Sequence, residues 1–77
     1  MEATAQQETG GVTGTKDKDY NIIWFTEQCL SNTLRLETYI QDAERENDDE
    51  LAEFFRKAQH ESQKGAEQGK ALLKSRL

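Results

Sequence analysis

A seven-residue repeat between Leu51 and Leu72 constrains the fold of this chain more than any other feature. Steps of four and three residues from Leu51 reach, in order, Phe55, Ala58, Ser62, Gly65, Gly69 and Leu72. This spacing places all seven side chains on one face of an α-helix. The residues in the middle of this face are small, and each glycine there destabilises a helix by roughly 1 kcal/mol relative to alanine. We therefore expect a neighbouring helix to pack closely against Ala58, Ser62, Gly65 and Gly69.

An earlier amphipathic stretch predicts that neighbour. Its inward face is formed by Ile22, Phe25, Cys29, Leu36, Ile40 and Ala43, and a second apolar row by Ile23, Leu30 and Leu34. The pattern predicts a helix over residues 20–46, with Asp17 or Asp19 as its N-cap.

The segment from Glu46 to Glu50 predicts the turn between the two helices. Asn47 tolerates the left-handed conformation that ends a helix, and either Asp48 or Asn47 can cap the next one, predicted over residues 48–76. A connection this short places the helices side by side and antiparallel, with opposite positions adding up to about 95. This register sets Trp24, Phe25 and Leu30 against the small residues of the second helix, which we expect them to fill.

Residues 1–18 are rich in Thr, Gly, Gln and Glu, and Val12 is their only large aliphatic residue after Met1. So little apolar surface cannot offset the cost of ordering a backbone. We expect a disordered tail over residues 1–18 and a single all-α domain, the helical hairpin, over residues 19–77.

The small size of the chain predicts self-association. A chain of 77 residues with 34% hydrophobic content seldom builds a sufficient core alone. A lone hairpin leaves several large apolar side chains uncovered, and a second hairpin would cover them in a homodimeric four-helix bundle. The predicted interface residues are Ile23, Trp24, Leu30, Leu34, Phe54, Leu73 and Leu77.

Other sequence features bear on the compartment. Cys29 is the only cysteine and cannot form an internal disulfide, which favours a cytoplasmic location. An apolar run that could span a membrane and a signal-peptide pattern are both lacking in the sequence, so we expect no membrane association.

The stretches Leu36–Glu44 and Glu50–Ala58, followed by Glu61, resemble half of a ferritin-like or rubrerythrin-type helical bundle. The resemblance implies a di-iron site with a glutamate on the first helix and a Glu-x-x-His motif on the second. Here Lys64 replaces that histidine, and the predicted register places no carboxylate opposite Glu61. We expect no metal or other cofactor, and the alternative is a diverged carboxylate site assembled across the dimer from Glu27, Glu37 and Glu61.

Catalytic patterns are also missing from the sequence. Cys29 and His60 lie near 9 Å apart along the predicted hairpin by helix rise, too far for a nucleophile–base pair. The second helix carries six basic residues, but acidic residues flank them and the net charge is −5, so nucleic-acid binding is only a third possibility. The leading hypothesis is a non-enzymatic interaction or regulatory module that acts as a homodimer on an unknown protein partner.

Overall fold

Two long antiparallel helices form the body of the molecule. The structure is a computed structural model that describes residues 9–77. It contains α1 (Gly10–Thr13), α2 (Asp17–Arg45) and α3 (Asp49–Arg76), and none of the described residues lies in a strand. Helices α2 and α3 pack against each other along their length. The prediction of an all-α antiparallel hairpin is confirmed.

The turn between the long helices has the predicted chemistry. Asn47 adopts the left-handed conformation with φ of 60°. The N–H of Asp48 donates to the carbonyl of Ala43 at 2.9 Å, which is the closing bond of a Schellman motif. The carboxylate of Asp48 then accepts the N–H of Leu51 at 3.1 Å and so caps α3. Asn47 therefore ends α2, and Asp48 starts α3.

The start of α2 differs from the prediction. The helix begins at Asp17 rather than near residue 20, and its N-cap is Lys16, which makes no side-chain capping bond. Instead, the carboxylate of Asp17 accepts bonds from the backbone N–H of Thr9 at 3.1 Å and from its hydroxyl at 2.6 Å. Thus part of the expected tail is helical in α1 and in the first turn of α2, and residues 1–8 lie outside the described residues.

The core between α2 and α3 is narrow and built largely from small side chains. Its buried apolar members are Cys29, Leu36, Ile40, Ala43, Ala52 and Ala66. On α3 the buried line therefore runs beside the predicted one, since Leu51 and Leu72 remain 41% and 46% exposed. Rotation of α3 by about half a residue, roughly 50° around its axis, accounts for the difference, because Gly69 remains buried.

Cross-helix contacts follow the predicted register to within one residue. The side-chain amide of Asn32 donates to the hydroxyl of Ser62 at 2.7 Å in the middle of the hairpin. At its open end, the guanidinium of Arg76 pairs with the carboxylate of Asp19 at 3.3 Å. Antiparallel packing across a short turn fixes both pairs.

Of the three residues predicted to fill the space above the glycines, Phe25 lies there, with its ring 3.6 Å from a Cβ placed on Gly65, and the other two do not. A Cβ at Gly69 would overlap the hydroxyl of Thr26, and one at Gly65 would lie 2.9 Å from the Sγ of Cys29. Trp24 is 63% exposed and Leu30 is also exposed. Trp24 precedes Thr26 by two residues, about 200° around the helix, and so points away from α3. The expectation that Trp24 and Leu30 fill the gap was wrong.

Candidate interaction surface

On the broad side of the hairpin that carries Phe25, the middle of two helical rows contains no charged side chain, and Lys18 and Glu46 lie at the ends of one of them. The first row, on α2, is Phe25, Asn32 and Tyr39, and the second, on α3, is Leu51, Ala58, Gly65 and Leu72. Seven-residue spacing keeps each row on one side of its helix. The rows share one side of the hairpin, because the ring of Phe25 lies 3.6 Å from a Cβ placed on Gly65, and Tyr39 and Leu51 line one groove. We call this surface the open face.

Aromatic rings cluster at the turn end of the open face. The ring centroids of Tyr39 and Phe55 are 5.4 Å apart, and those of Phe54 and Phe55 are 5.5 Å apart, both pairs tilted. Centroid separations in this range with tilted planes are favourable for aromatic pairs. Leu51 lies in the groove beside Tyr39 and Phe55. The aromatic rings of this end are thus partly pre-ordered, and Asp42, Glu46 and Asp48 border them in the same groove.

The middle of the open face is flat, because its side chains are small. Ala58 and Gly65 are half-buried. Asn32, in the other row, already donates its amide to Ser62 and is also half-buried. A surface that lacks charges and bulky groups at its centre allows another backbone to approach closely.

The opposite side of the hairpin carries a groove lined in part by polar side chains, and we call it the polar groove. It is formed by Leu30, Thr33, Leu34, Glu37, Gln59, Gln63, Ala66 and Glu67. The amide of Gln59 donates to the carbonyl of Thr33 at 3.1 Å and to the carboxylate of Glu37 at 3.0 Å. Polar groups in this groove are thus bonded to each other within the chain.

Towards the turn, an ion-pair cluster joins α2 to α3. The guanidinium of Arg56 pairs with the carboxylate of Glu44 across the helices and with that of Glu53 at 3.3 Å on its own helix. Hydrogen bonding to Glu44 raises the pKa of Arg56 above its usual value.

The predicted interface residues are distributed over several surfaces. Leu30 and Leu34 line the polar groove, whereas Phe54 lies beside Phe55 at the edge of the open face. Trp24 projects away from α3, as described above. The remaining members are Ile23 and Leu77, both exposed, and Leu73, which is half-buried. One contiguous patch does not contain them all, and their role as an interface remains a prediction.

The candidate metal ligands are exposed and bonded to other groups. Glu27 accepts from the Ser31 hydroxyl at 2.5 Å, Glu37 accepts from Gln59, and Glu61 pairs with Lys64 at 3.8 Å. Across residues 9–77, no three His, Cys, Asp or Glu side chains are grouped closely enough to hold a metal ion. A single chain does not bring Glu27, Glu37 and Glu61 together.

Basic side chains of α3 are interleaved with acidic ones. Lys64 and Lys70 each pair with a glutamate three residues earlier, and Arg76 pairs with Asp19. Such neutralised pairs contrast with the continuous positive stripe that follows a nucleic-acid backbone. His60 is exposed among Glu53, Arg56, Lys57 and Glu61, and Cys29 is buried beneath Gly65.

Our interpretation of the sequence missed the open face as a unit, although a signal for it exists. Positions 25, 32 and 39, and likewise 51, 58, 65 and 72, form heptad rows without a charge. The second row shares Leu51, Ala58, Gly65 and Leu72 with the repeat that we assigned wholly to the contact between helices. Leu51 and Leu72 of that repeat are exposed, whereas Ala58 and Gly65 are half-buried.

Comparison with known proteins returns no match to any family model, curated protein or solved structure. The ferritin-like resemblance therefore remains a prediction. Among residues 9–77, no helix combines the length and the hydropathy that a membrane crossing requires. A cytoplasmic location also remains a prediction.

Proposed function

We propose that this chain is a non-enzymatic interaction module that works as a homodimer, with two hairpins joined in a four-helix bundle. The observation that carries the proposal is the number of large apolar side chains that a single hairpin leaves exposed. Phe25, Phe54 and Leu72 are examples, and each is about half or more exposed. Adjoining exposed apolar side chains, such as Phe54 beside Phe55, mark interaction sites on soluble proteins.

The small core gives independent support. Among the described residues, no large side chain is buried to less than 2% exposure, and the buried set consists mainly of Ala, Cys, Leu and Ile. Two helices alone cannot enclose an interior, whereas four helices surround a central core. Association with a second copy adds the missing layer of apolar contact.

The proposed role is contact with another protein, either through the outer surface of the bundle or through the segment that precedes α2. The described side chains favour no particular reaction. Cys29 is buried, and Glu27, Glu37 and Glu61 are exposed and lie far from one another. Adaptors, regulators and assembly factors of this size act through their surfaces.

Sedimentation equilibrium of the full chain tests the dimer. Across concentrations from about 1 µM to about 1 mM, we expect a reversible shift toward twice the chain mass of 8.8 kDa. A constant mass of one chain over that range contradicts the proposal. Affinity capture with the dimeric protein as bait then identifies the partner class.

A further inference from the structure

Near the middle of the open face, the rims of its two helices carry opposite charges. Arg35 follows Asn32 by three residues on α2, and Glu61 follows Ala58 by three residues on α3. Each directly precedes a residue that faces into the hairpin, Leu36 and Ser62 respectively. Since a helix turns about 100° per residue, both charged groups lie on the outer rim of the open face.

We infer that the open face packs against the open face of a second copy, with both turns at the same end of the bundle. In this arrangement α2 of one copy lies antiparallel to α3 of the other, and the two-fold axis runs along the bundle. The inference rests on the proposed homodimer and adds to it the face, the orientation and the rim contacts. Its occupant is a second copy of this chain.

The area of the open face suits a stable dimer. A helix of 29 residues is about 43 Å long, and two packed helices are about 20 Å wide. The resulting area is on the order of 800 Å² per copy, which equals the contribution of each partner to an interface of standard size. Smaller interfaces characterise weak or transient contacts.

The composition of the open face also suits burial. The middle of its rows contains no charge to desolvate, since Asp42, Glu46 and Asp48 lie at its turn end. The small side chain of Ala58 allows the partner helix to approach closely at the centre. Asn32, the one strongly polar member, already has a hydrogen-bond partner in Ser62. The polar groove carries its charges at mid-length, where Glu37 and Glu67 would be buried along with Leu34. The acidic residues of the open face lie at its turn end instead.

Charge complementarity selects the orientation. The register of the hairpin places residue 35 level with residue 60, so Arg35 of one copy meets Glu61 of the other when the turns coincide. The two-fold axis makes this contact twice. With the turns at opposite ends, α2 faces α2 and Arg35 lies near Gln28 instead. Within residues 9–77, Arg35 is the only arginine without an ion pair in its own chain.

Matched substitutions test which face is used. Leu72→Glu on the open face and Leu34→Glu on the polar groove introduce the same charge at side chains that are exposed in a single hairpin. We expect Leu72→Glu to raise the dimer dissociation constant about 100-fold and Leu34→Glu to change it by less than about threefold. Circular dichroism verifies that both variants remain helical.

The outcomes separate this inference from the proposed function. A wild-type chain that stays monomeric overturns both. A wild-type dimer that Leu34→Glu dissociates and Leu72→Glu does not overturns only the choice of face. Equal dissociation by both variants also overturns it, because the open face would not be distinguished from the groove.

A charge exchange tests the orientation. Arg35→Glu and Glu61→Arg each place like charges across the rim, and each is expected to weaken the dimer about tenfold. The double variant restores opposite charges and is expected to return to within about threefold of wild type. Additive weakening in the double variant overturns the arrangement with coincident turns, even if the open face is used.

Discussion

Gly69 of α3 lies directly against Thr26 of α2, so that all three heavy atoms nearest to a Cβ at Gly69 belong to Thr26. The Thr26 Cβ itself would be 3.1 Å from that Cβ. The Thr26 hydroxyl is buried and has no hydrogen-bond partner among the described residues. Across the interface it faces Gly69, and weak Cα–H···O contacts are common where helices approach this closely. The absence of a side chain at residue 69 thus sets the distance between the helices near their open end.

The Gly69–Thr26 contact predicts the effect of adding one methyl group. Gly69→Ala is expected to lower the free energy of unfolding by about 1–3 kcal/mol, because overpacking exceeds the roughly 1 kcal/mol gained in helix propensity. Urea denaturation measures the change. Gly11→Ala is the control, since a Cβ there has no neighbour within 4 Å. Combining Gly69→Ala with Thr26→Ala should recover part of the loss, and failure to do so would place the clash elsewhere.

The turn predicts how substitutions at two adjacent residues change the free energy of unfolding. Asp48→Ala removes the cap of α3 and should cost about 1 kcal/mol of unfolding free energy. Asn47→Gly should be neutral or slightly stabilising, whereas Asn47→Val should cost about 1–2 kcal/mol, since φ at this residue is positive. Thermal and urea melts of the three variants provide the comparison. Equal costs for Gly and Val at residue 47 would contradict the left-handed turn.

At the open end of the hairpin, the Arg76–Asp19 pair predicts local fraying. Asp19 is 9% exposed and Arg76 reaches it from the last turn of α3. Arg76→Ala should lower the free energy of unfolding by less than about 1 kcal/mol and speed hydrogen exchange in the last turn of α3. Lys74→Ala, in the same turn, is the matched control. The difference between the two should shrink at high salt; a salt-independent difference would rule out an ionic origin.

The separation of Glu27, Glu37 and Glu61 predicts that the protein is independent of metal. Protein purified without a chelator should contain iron and zinc below about a tenth of an equivalent, and addition of a chelator should leave the urea midpoint unchanged. Elemental analysis and parallel melts make the measurement. Stoichiometric metal together with a chelator-sensitive midpoint would revive the diverged ferritin-like site across the dimer.

The register of the hairpin could be predicted from sequence, because Asn47 and Asp48 define one short turn that fixes every opposite pair. Contacts as distant as Asn32–Ser62 and Asp19–Arg76 follow from it. The rotation of each helix about its axis could not be predicted equally well. Leu51 and Leu72 dominate the periodic pattern, whereas the buried positions of α3 include Ala52 and Ala66, whose small side chains contribute little to it.

For the same reason, the open face could not be recognised from the sequence. A heptad row of apolar residues can face its partner in the hairpin or a further helix, and spacing alone does not distinguish the two. Thr26, a polar residue, proved to be buried, while Trp24 proved to be exposed. Packing against a small residue determined burial here, rather than hydrophobicity.

Association through the open face is tested most directly by isotope-filtered nuclear Overhauser spectroscopy on a mixture of labelled and unlabelled chains. This measurement detects only contacts between different copies, so proximity of Phe25 and Leu72 within one hairpin does not contribute. We predict cross-copy signals between the ring of Phe25 and the methyl groups of Leu72. Cross-copy signals confined to Leu34, or none at concentrations near 1 mM, would contradict the account.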